Sequence, residues 1–162
     1  MVLRNFLVAA SMFAAAGSAA ALTPGVGDKV SDATFTTANG QKLSFGDLRG
    51  EVVVLTYWMD DCAACAEQVR ALDYYYRQRP DVGLRVLAVS VDAMSSRELR
   101  RQFKDKRVHV LSKIDDPFEV PAAVPTTYVI DRTGKLRYAA SAPLGIDQLN
   151  QVLVPLIREP QP

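Results

Sequence analysis

The strongest hydrophobic signal in the chain is Val52 to Trp58 (VVVLTYW), uncharged and rich in β-branched and aromatic residues. Such a run suits a strand buried on both faces. Leu84 to Val91 (LRVLAVSV) repeats the pattern, and Val108 to Leu111 and Thr127 to Ile130 give two shorter strands. Asn39-Gly40 between Ala33–Thr37 and Gln41–Ser44 predicts a β-hairpin. Asp131 to Gly134 predicts a turn that folds Leu136–Ala140 back as a second hairpin. Helical spacing appears three times. Ala66 to Arg79 carries Val69, Leu72 and Tyr76 on one stripe and stops at Pro80-Asp81. Ser95-Ser96-Arg97-Glu98 matches a capping box and opens a helix from Ser96 to Lys104. Ile146, Leu149, Val152, Leu153 and Leu156 line a last helix, which Pro155 is expected to end or kink. Ile114 to Val124 is irregular. Strands alternate with helices at the front and a hairpin closes the chain. That order predicts an α/β fold with a central mixed sheet flanked by helices and an N-terminal β-hairpin extension.

The first residues read differently. Arg4 supplies a positive start, Phe6 to Gly17 is apolar, and Ala19-Ala20-Ala21 suits cleavage after Ala21. Residues 1–21 are therefore expected to be a signal peptide and residues 22–162 the domain. The apolar run is shorter than the roughly 20 residues a membrane span needs. Export would place the protein in an oxidising compartment such as the periplasm.

Composition narrows the function. The 162 residues carry a formal net charge of +1, which argues against a nucleic-acid groove. The chain has two cysteines, too few for a disulfide scaffold. Both fall in Cys62-Ala63-Ala64-Cys65, where the buried strand hands over to a helix. Unpaired N–H groups at a helix start favour thiolate over thiol. Spacing of i, i+3 puts both sulfurs on one face. The pair is suited to making and breaking a disulfide. As a mere staple, so short a loop would contribute only about 2 kcal/mol. A structural zinc site needs four ligands, and His109 is the only histidine. Asp60 and Asp61 either cap the helix or oppose the thiolate by like charge, tilting the pair toward reducing behaviour. His109, in a Val-His-Val run, reads as a half-buried packing residue. Of the rings in Tyr74-Tyr75-Tyr76, one is expected to be buried. Trp58 is expected to pack under the cysteine pair.

These motifs resemble the thioredoxin-like superfamily, and within it the exported TlpA/ResA-type thiol–disulfide oxidoreductases. Three blocks carry the likeness: Tyr57-Trp58 before Cys62 and Cys65, Val86 to Asp92, and Val124-Pro125-Thr126-Thr127-Tyr128-Val129-Ile130-Asp131. The resemblance covers roughly Val26 to Leu156. It implies that Cys62 is the exposed attacking cysteine and Cys65 the buried resolving one. It also implies that Pro125 is a cis-proline facing the disulfide, and that Val124, Pro125, Thr126 and Trp58 meet the substrate. The implied activity is thiol–disulfide exchange with other exported proteins, with electrons from a membrane donor and no cofactor beyond the Cys62–Cys65 disulfide. A monomer is expected. The chain departs from the pattern at Thr56, where thioredoxins have a buried acid, and at Gln68, where TlpA/ResA-like proteins tend to carry glutamate. Glu67 or a water is expected to stand in, or the exchange to be slow.

Two other readings compete. Soft thiolates suit Cu(I), so Cys62 and Cys65, with His109 as a third ligand, would also serve a copper carrier. A redox-inert interaction domain would use the same fold. A peroxidase of the peroxiredoxin type is disfavoured, because its Pro-x-x-x-Thr-x-x-Cys pattern would need proline and threonine where Leu55 and Met59 stand.

Overall fold

The computed structural model describes residues 23–115, 118 and 120–161; the expected signal peptide lies outside the described residues. The elements are β1 (Thr34–Thr37), β2 (Lys42–Ser44), β3 (Val52–Trp58), α1 (Ala63–Arg77), β4 (Leu84–Ser90), α2 (Ser96–Gln102), β5 (His109–Ile114), β6 (Thr126–Ile130), β7 (Leu136–Ala140) and α3 (Ile146–Arg158). They form a thioredoxin-like α/β fold around one seven-stranded sheet, ordered β2-β1-β5-β4-β3-β6-β7. The middle strands β5, β4 and β3 run parallel. Hairpins β1–β2 and β6–β7 extend the two edges through antiparallel pairing.

Every residue of β3 is buried, as its unbroken apolar run requires. Successive side chains alternate between two cores. Val52, Val54 and Trp58 join Val86, Ala88 and the inward faces of all three helices, including Val69, Leu72, Leu99, Leu149 and Leu153. Val53, Leu55 and Tyr57 meet Leu87 and Val89 on the other face, which Val30, Phe45, Leu48 and Phe118 cover from segments outside the helices.

Several boundaries differ from those expected. Strand β5 continues past Leu111 because β1 lies beside it, pairing Phe35 with Ile114 and Thr36 with Lys113. Helix α2 stops at Gln102, where Phe103 caps it through its N–H to Leu99 O and turns its ring into the core. Helix α3 does not end at Pro155 but runs on to Arg158. A proline inside a helix costs about 3 kcal/mol. Leu153 and Leu156, buried on either side of it, offset that with about 1.5–3 kcal/mol each.

Below the sheet Arg132 is nearly fully buried, with no carboxylate against its guanidinium among the described residues. It donates to Gly50 O, Val82 O and Ile157 O at 2.5, 2.9 and 3.0 Å, tying the start of β3, the approach to β4 and the end of α3. The opposite end of the sheet, where β3 runs into α1, holds the cysteines.

Candidate active site

Strand β3 stays paired with β4 to its last residue, and Val91 N–H then donates to Trp58 O at 2.9 Å. The chain leaves the sheet through Met59, Asp60 and Asp61. Asp60 N–H donates to Asp92 Oδ2 at 2.7 Å, and Cys62 N–H to Asp60 O at 3.0 Å. These bonds hold the turn that delivers Cys62 to the start of α1. The N-cap is Cys62 itself, in extended backbone, with Sγ accepting the Cys65 N–H at 3.1 Å. Neither Asp60 nor Asp61 caps the helix: Asp60 is committed to Asp92 and to Gln102 Nε2, the latter at 2.5 Å, and Asp61 is exposed. Because the cap lies at Cys62, α1 begins three residues earlier than its apolar stripe suggests.

A disulfide joins Cys62 to Cys65, with Cα atoms 5.2 Å apart. Cys65 is fully buried in the helix-side core, whereas Cys62 is half-buried. The first turn of α1 carries no acidic residue, so the partial positive charge of its N–H groups acts on Cys62 unopposed from within the helix. One sulfur is thus open to attack or able to attack, and the other waits behind it.

Strand β6 brings in the distant residues. It runs antiparallel to β3, with Thr126 opposite Tyr57 at the end that leads to the cysteines. The Val124–Pro125 peptide bond is cis, and Pro125 is buried. Val124 packs between the two cores, and its backbone makes no hydrogen bond among the described residues. The Thr126 side chain is buried, donates to Ala123 O at 2.6 Å and pairs with Ser141 Oγ at 2.8 Å, which holds the turn at the cis bond.

Thr56 and Gln68, at the positions where the resemblance would place acids, are buried and neutral. Thr56 is fully buried, its Oγ1 3.2 Å from that of Thr127. Gln68, one turn along from Cys65, is equally buried; its Oε1 accepts the Leu144 N–H, and its Nε2 has no partner among the described residues. Glu67 cannot substitute for a buried acid. Residues two apart on a helix face different ways, and Glu67 is exposed while Cys65 is not.

Trp58 is buried, with its ring 5.2 Å from that of Phe103. Together with Met59 it floors a cavity of about 180 Å³ between α1 and α2, beside the cysteines. His109 lies elsewhere. Its Nε2 is 3.2 Å from Arg85 Nη1, and its ring is 6.3 Å from that of Tyr76, in the last turn of α1. Fifteen helical residues span about 20 Å, so His109 faces the opposite end of the helix from the sulfurs. Burial, then the neighbouring Arg85 charge, lowers its pKa and favours the neutral ring. The copper reading thereby loses its third ligand. Among the described residues no group of three His, Cys, Asp or Glu side chains could hold a metal. In the tyrosine cluster Tyr75 is the buried ring, and Tyr74 is exposed.

Sequence reasoning missed Asp92, whose carboxylate anchors the redox loop, and Gln102, which clamps Asp60. Asp92 had a visible signal, as an acid just past the end of a parallel strand. Gln102 had none, since only the packing of α2 brings it to the loop.

The fold and the cysteine pair define a thioredoxin-like thiol–disulfide oxidoreductase. Residues 26–139 match the AhpC/TSA family, and the chain belongs to that family. It is 27% identical over 117 residues to the thioredoxin-like protein YneN of Bacillus subtilis, covering 68% of each chain. It is 23% identical over 116 residues to the thiol-disulfide oxidoreductase ResA of Bacillus cereus, covering 68% of this chain and 66% of the relative. A secreted thiol-disulfide isomerase from Corynebacterium glutamicum has a similar structure, with a TM-score of 0.70 and 20% identity over 88% of this chain and 96% of its own.

Proposed function

We propose that this chain is an exported, monomeric reductant of disulfides in other exported proteins, recharged by a membrane electron donor. The observation that carries the reading is the asymmetric disulfide: Cys62 half-buried at the helix tip and Cys65 sealed behind it. In the reduced protein the Cys62 thiolate attacks one sulfur of a partner's disulfide. A mixed disulfide forms and one partner thiolate leaves. Cys65, after giving up its proton, then attacks Cys62 Sγ, releasing the second partner thiolate and closing Cys62–Cys65. Two electrons pass to the partner, and the donor must return two to reopen the pair. Val124, whose backbone makes no hydrogen bond among the described residues, is positioned for an extended partner segment to pair with.

Export is supported by the signal-like pattern of residues 1–21 and by the secreted structural neighbour. A reducing bias is supported by Asp60 and Asp61 beside Cys62, by the absence of a basic residue in the tetrad, and by the neutral, buried Thr56 and Gln68. The test is trapping. A Cys65→Ser variant expressed with the full chain should accumulate mixed disulfides through Cys62 with exported proteins. Wild type should catalyse insulin reduction, and Cys62→Ser should not. A reduction potential near −120 mV, that of a strong oxidant, would refute the reducing direction. Insulin reduction absent in wild type, with nothing trapped on Cys62, would refute the function.

A further inference from the structure

Charge is unevenly placed along this chain. Residues 97–107 hold six cations, Arg97, Arg100, Arg101, Lys104, Lys106 and Arg107, against two acids, Glu98 and Asp105, a net +4. The whole chain is +1, so all remaining residues together carry −3. Glu98 is occupied by the capping box, with Ser95 Oγ donating to it at 2.6 Å. Of the six cations, all but Lys106 are exposed.

The middle of this stretch reaches the redox loop, and its end runs along α1 toward Asp73. Gln102 of α2 clamps Asp60, two residues before Cys62. The 180 Å³ groove between α2 and α1 is lined by the apolar Trp58, Met59 and Phe103, by the cations Arg70 and Lys106, and, at its end toward the redox loop, by Asp60, whose carboxylate Gln102 engages. Ala66, the residue directly after Cys65, also lines it. A polypeptide bonded to Cys62 therefore has an apolar slot of side-chain size near its attachment point, with the cations Arg70 and Lys106 at that slot, while Arg100, Lys104 and Arg107 extend the positive surface away from the sulfurs toward Ala38 and His109.

We propose that this face of α2 and the α1–α2 groove docks an acidic, extended segment of the partner polypeptide, a proposal that rests on the exchange reading above. Opposite charges steer encounter and fix register, and like charges exclude the wrong one. Here both act. The cations of α2 attract the acidic stretch, while Asp60, Asp61 and Asp92 at the redox loop repel it. The partner's acidic flank is thereby directed to the α2 side and its cystine to Cys62. The same arrangement disfavours an anionic bilayer, which would press its headgroups on exposed Asp61 as well as on the cations.

The test uses the reduced full chain and peptides of one core sequence, each closed by a disulfide and flanked by glutamates, serines or lysines. At low ionic strength the glutamate-flanked peptide should be reduced about tenfold faster than the serine-flanked one, and the lysine-flanked peptide more slowly. The advantage should vanish at about 1 M salt, where the Debye length is about 3 Å. Arg101→Glu combined with Lys104→Glu should abolish or reverse it. Reaction of that variant with uncharged 2,2′-dithiodipyridine should stay at the wild-type rate, which shows an intact fold and thiol. Arg97→Glu alone should give a smaller loss of the same sign. Equal rates for all three peptides, with normal dithiodipyridine reactivity, overturn the docking face and leave the exchange function standing. Anionic phosphatidylglycerol vesicles bound through the same cations, with no peptide preference, overturn it in favour of a membrane surface. Failure to reduce any of the peptides overturns the exchange reading itself.

Discussion

Gln68 is the sharpest place to probe how dry the wall behind Cys65 is. It is 1% exposed, its Oε1 accepts the Leu144 N–H, and its Nε2 is unpaired among the described residues. Gln68→Leu removes the acceptor, leaving a buried N–H unsatisfied at a cost of about 1–3 kcal/mol, but it also removes the unsatisfied amide, which returns a similar amount. The two effects nearly cancel, so the leucine variant is a poor reporter of polarity. Gln68→Glu is a better one. A protonated carboxyl keeps the acceptor for Leu144, and at pH 4 the variant should be within about 1 kcal/mol of wild type. Burial raises the folded-state pKa of the new carboxyl above its unfolded value of about 4.3. The native state then binds more protons than the unfolded state. Relative to wild type, stability therefore falls as pH rises through the unfolded pKa, by up to about 1.4 kcal/mol per pH unit until the folded pKa is reached. The assay is urea unfolding of the oxidised protein from pH 4 to pH 8, comparing the two proteins at each pH. A pH-independent difference would refute the reasoning, because it would mean that the side chain at position 68 reaches water in both states.

Three further outcomes follow from the same structure. Asp131 is buried, which pushes its pKa up, but bonds from Lys135 N–H, Arg137 and the Thr133 hydroxyl and N–H outweigh that and hold it below the usual carboxylate range. Its contribution is present above the unfolded pKa of about 3.9 and lost as pH falls through the folded one. Asp131→Asn should thus cost about 1–3 kcal/mol at pH 7 and progressively less below pH 4, read by chemical denaturation. His109 has its pKa lowered by burial and then by Arg85, so the unfolded chain takes up a proton before the native state does. Stability is lost as pH falls below about 6.5, and His109→Gln should flatten that slope without changing insulin reduction at pH 7. Pro155 is exposed inside α3, so Pro155→Ala should restore a helical N–H and raise stability by about 2 kcal/mol in thermal or urea unfolding.

Much of this architecture can be read locally. An uninterrupted run such as VVVLTYW has no solvent-facing side, so it belongs in the middle of a sheet, and β3 lies between β4 and β6. The Asn39-Gly40 turn and the Ser95–Glu98 capping box are short-range devices, and both form where the residues call for them. Cys62 and Cys65 are three residues apart at a strand-to-helix junction, so their disulfide closes within a single helical turn. The remainder depends on side chains that meet only after folding. Whether Cys62 or Asp60 caps α1 turns on Asp92 and Gln102, which arrive from β4 and α2 to engage the aspartate. Thr126 turns inward because Ala123 O and Ser141 lie within its reach. Glu67 and Gln68 differ by one step in sequence, yet helix phase exposes one and buries the other. His109 lies apart from the sulfurs because β5 enters the sheet at the far end of α1. Local hydrogen bonds and hydrophobic periodicity act over a few residues and leave their mark in the chain. The polarity of a site is set by which distant groups share a volume, and only the packed structure decides that.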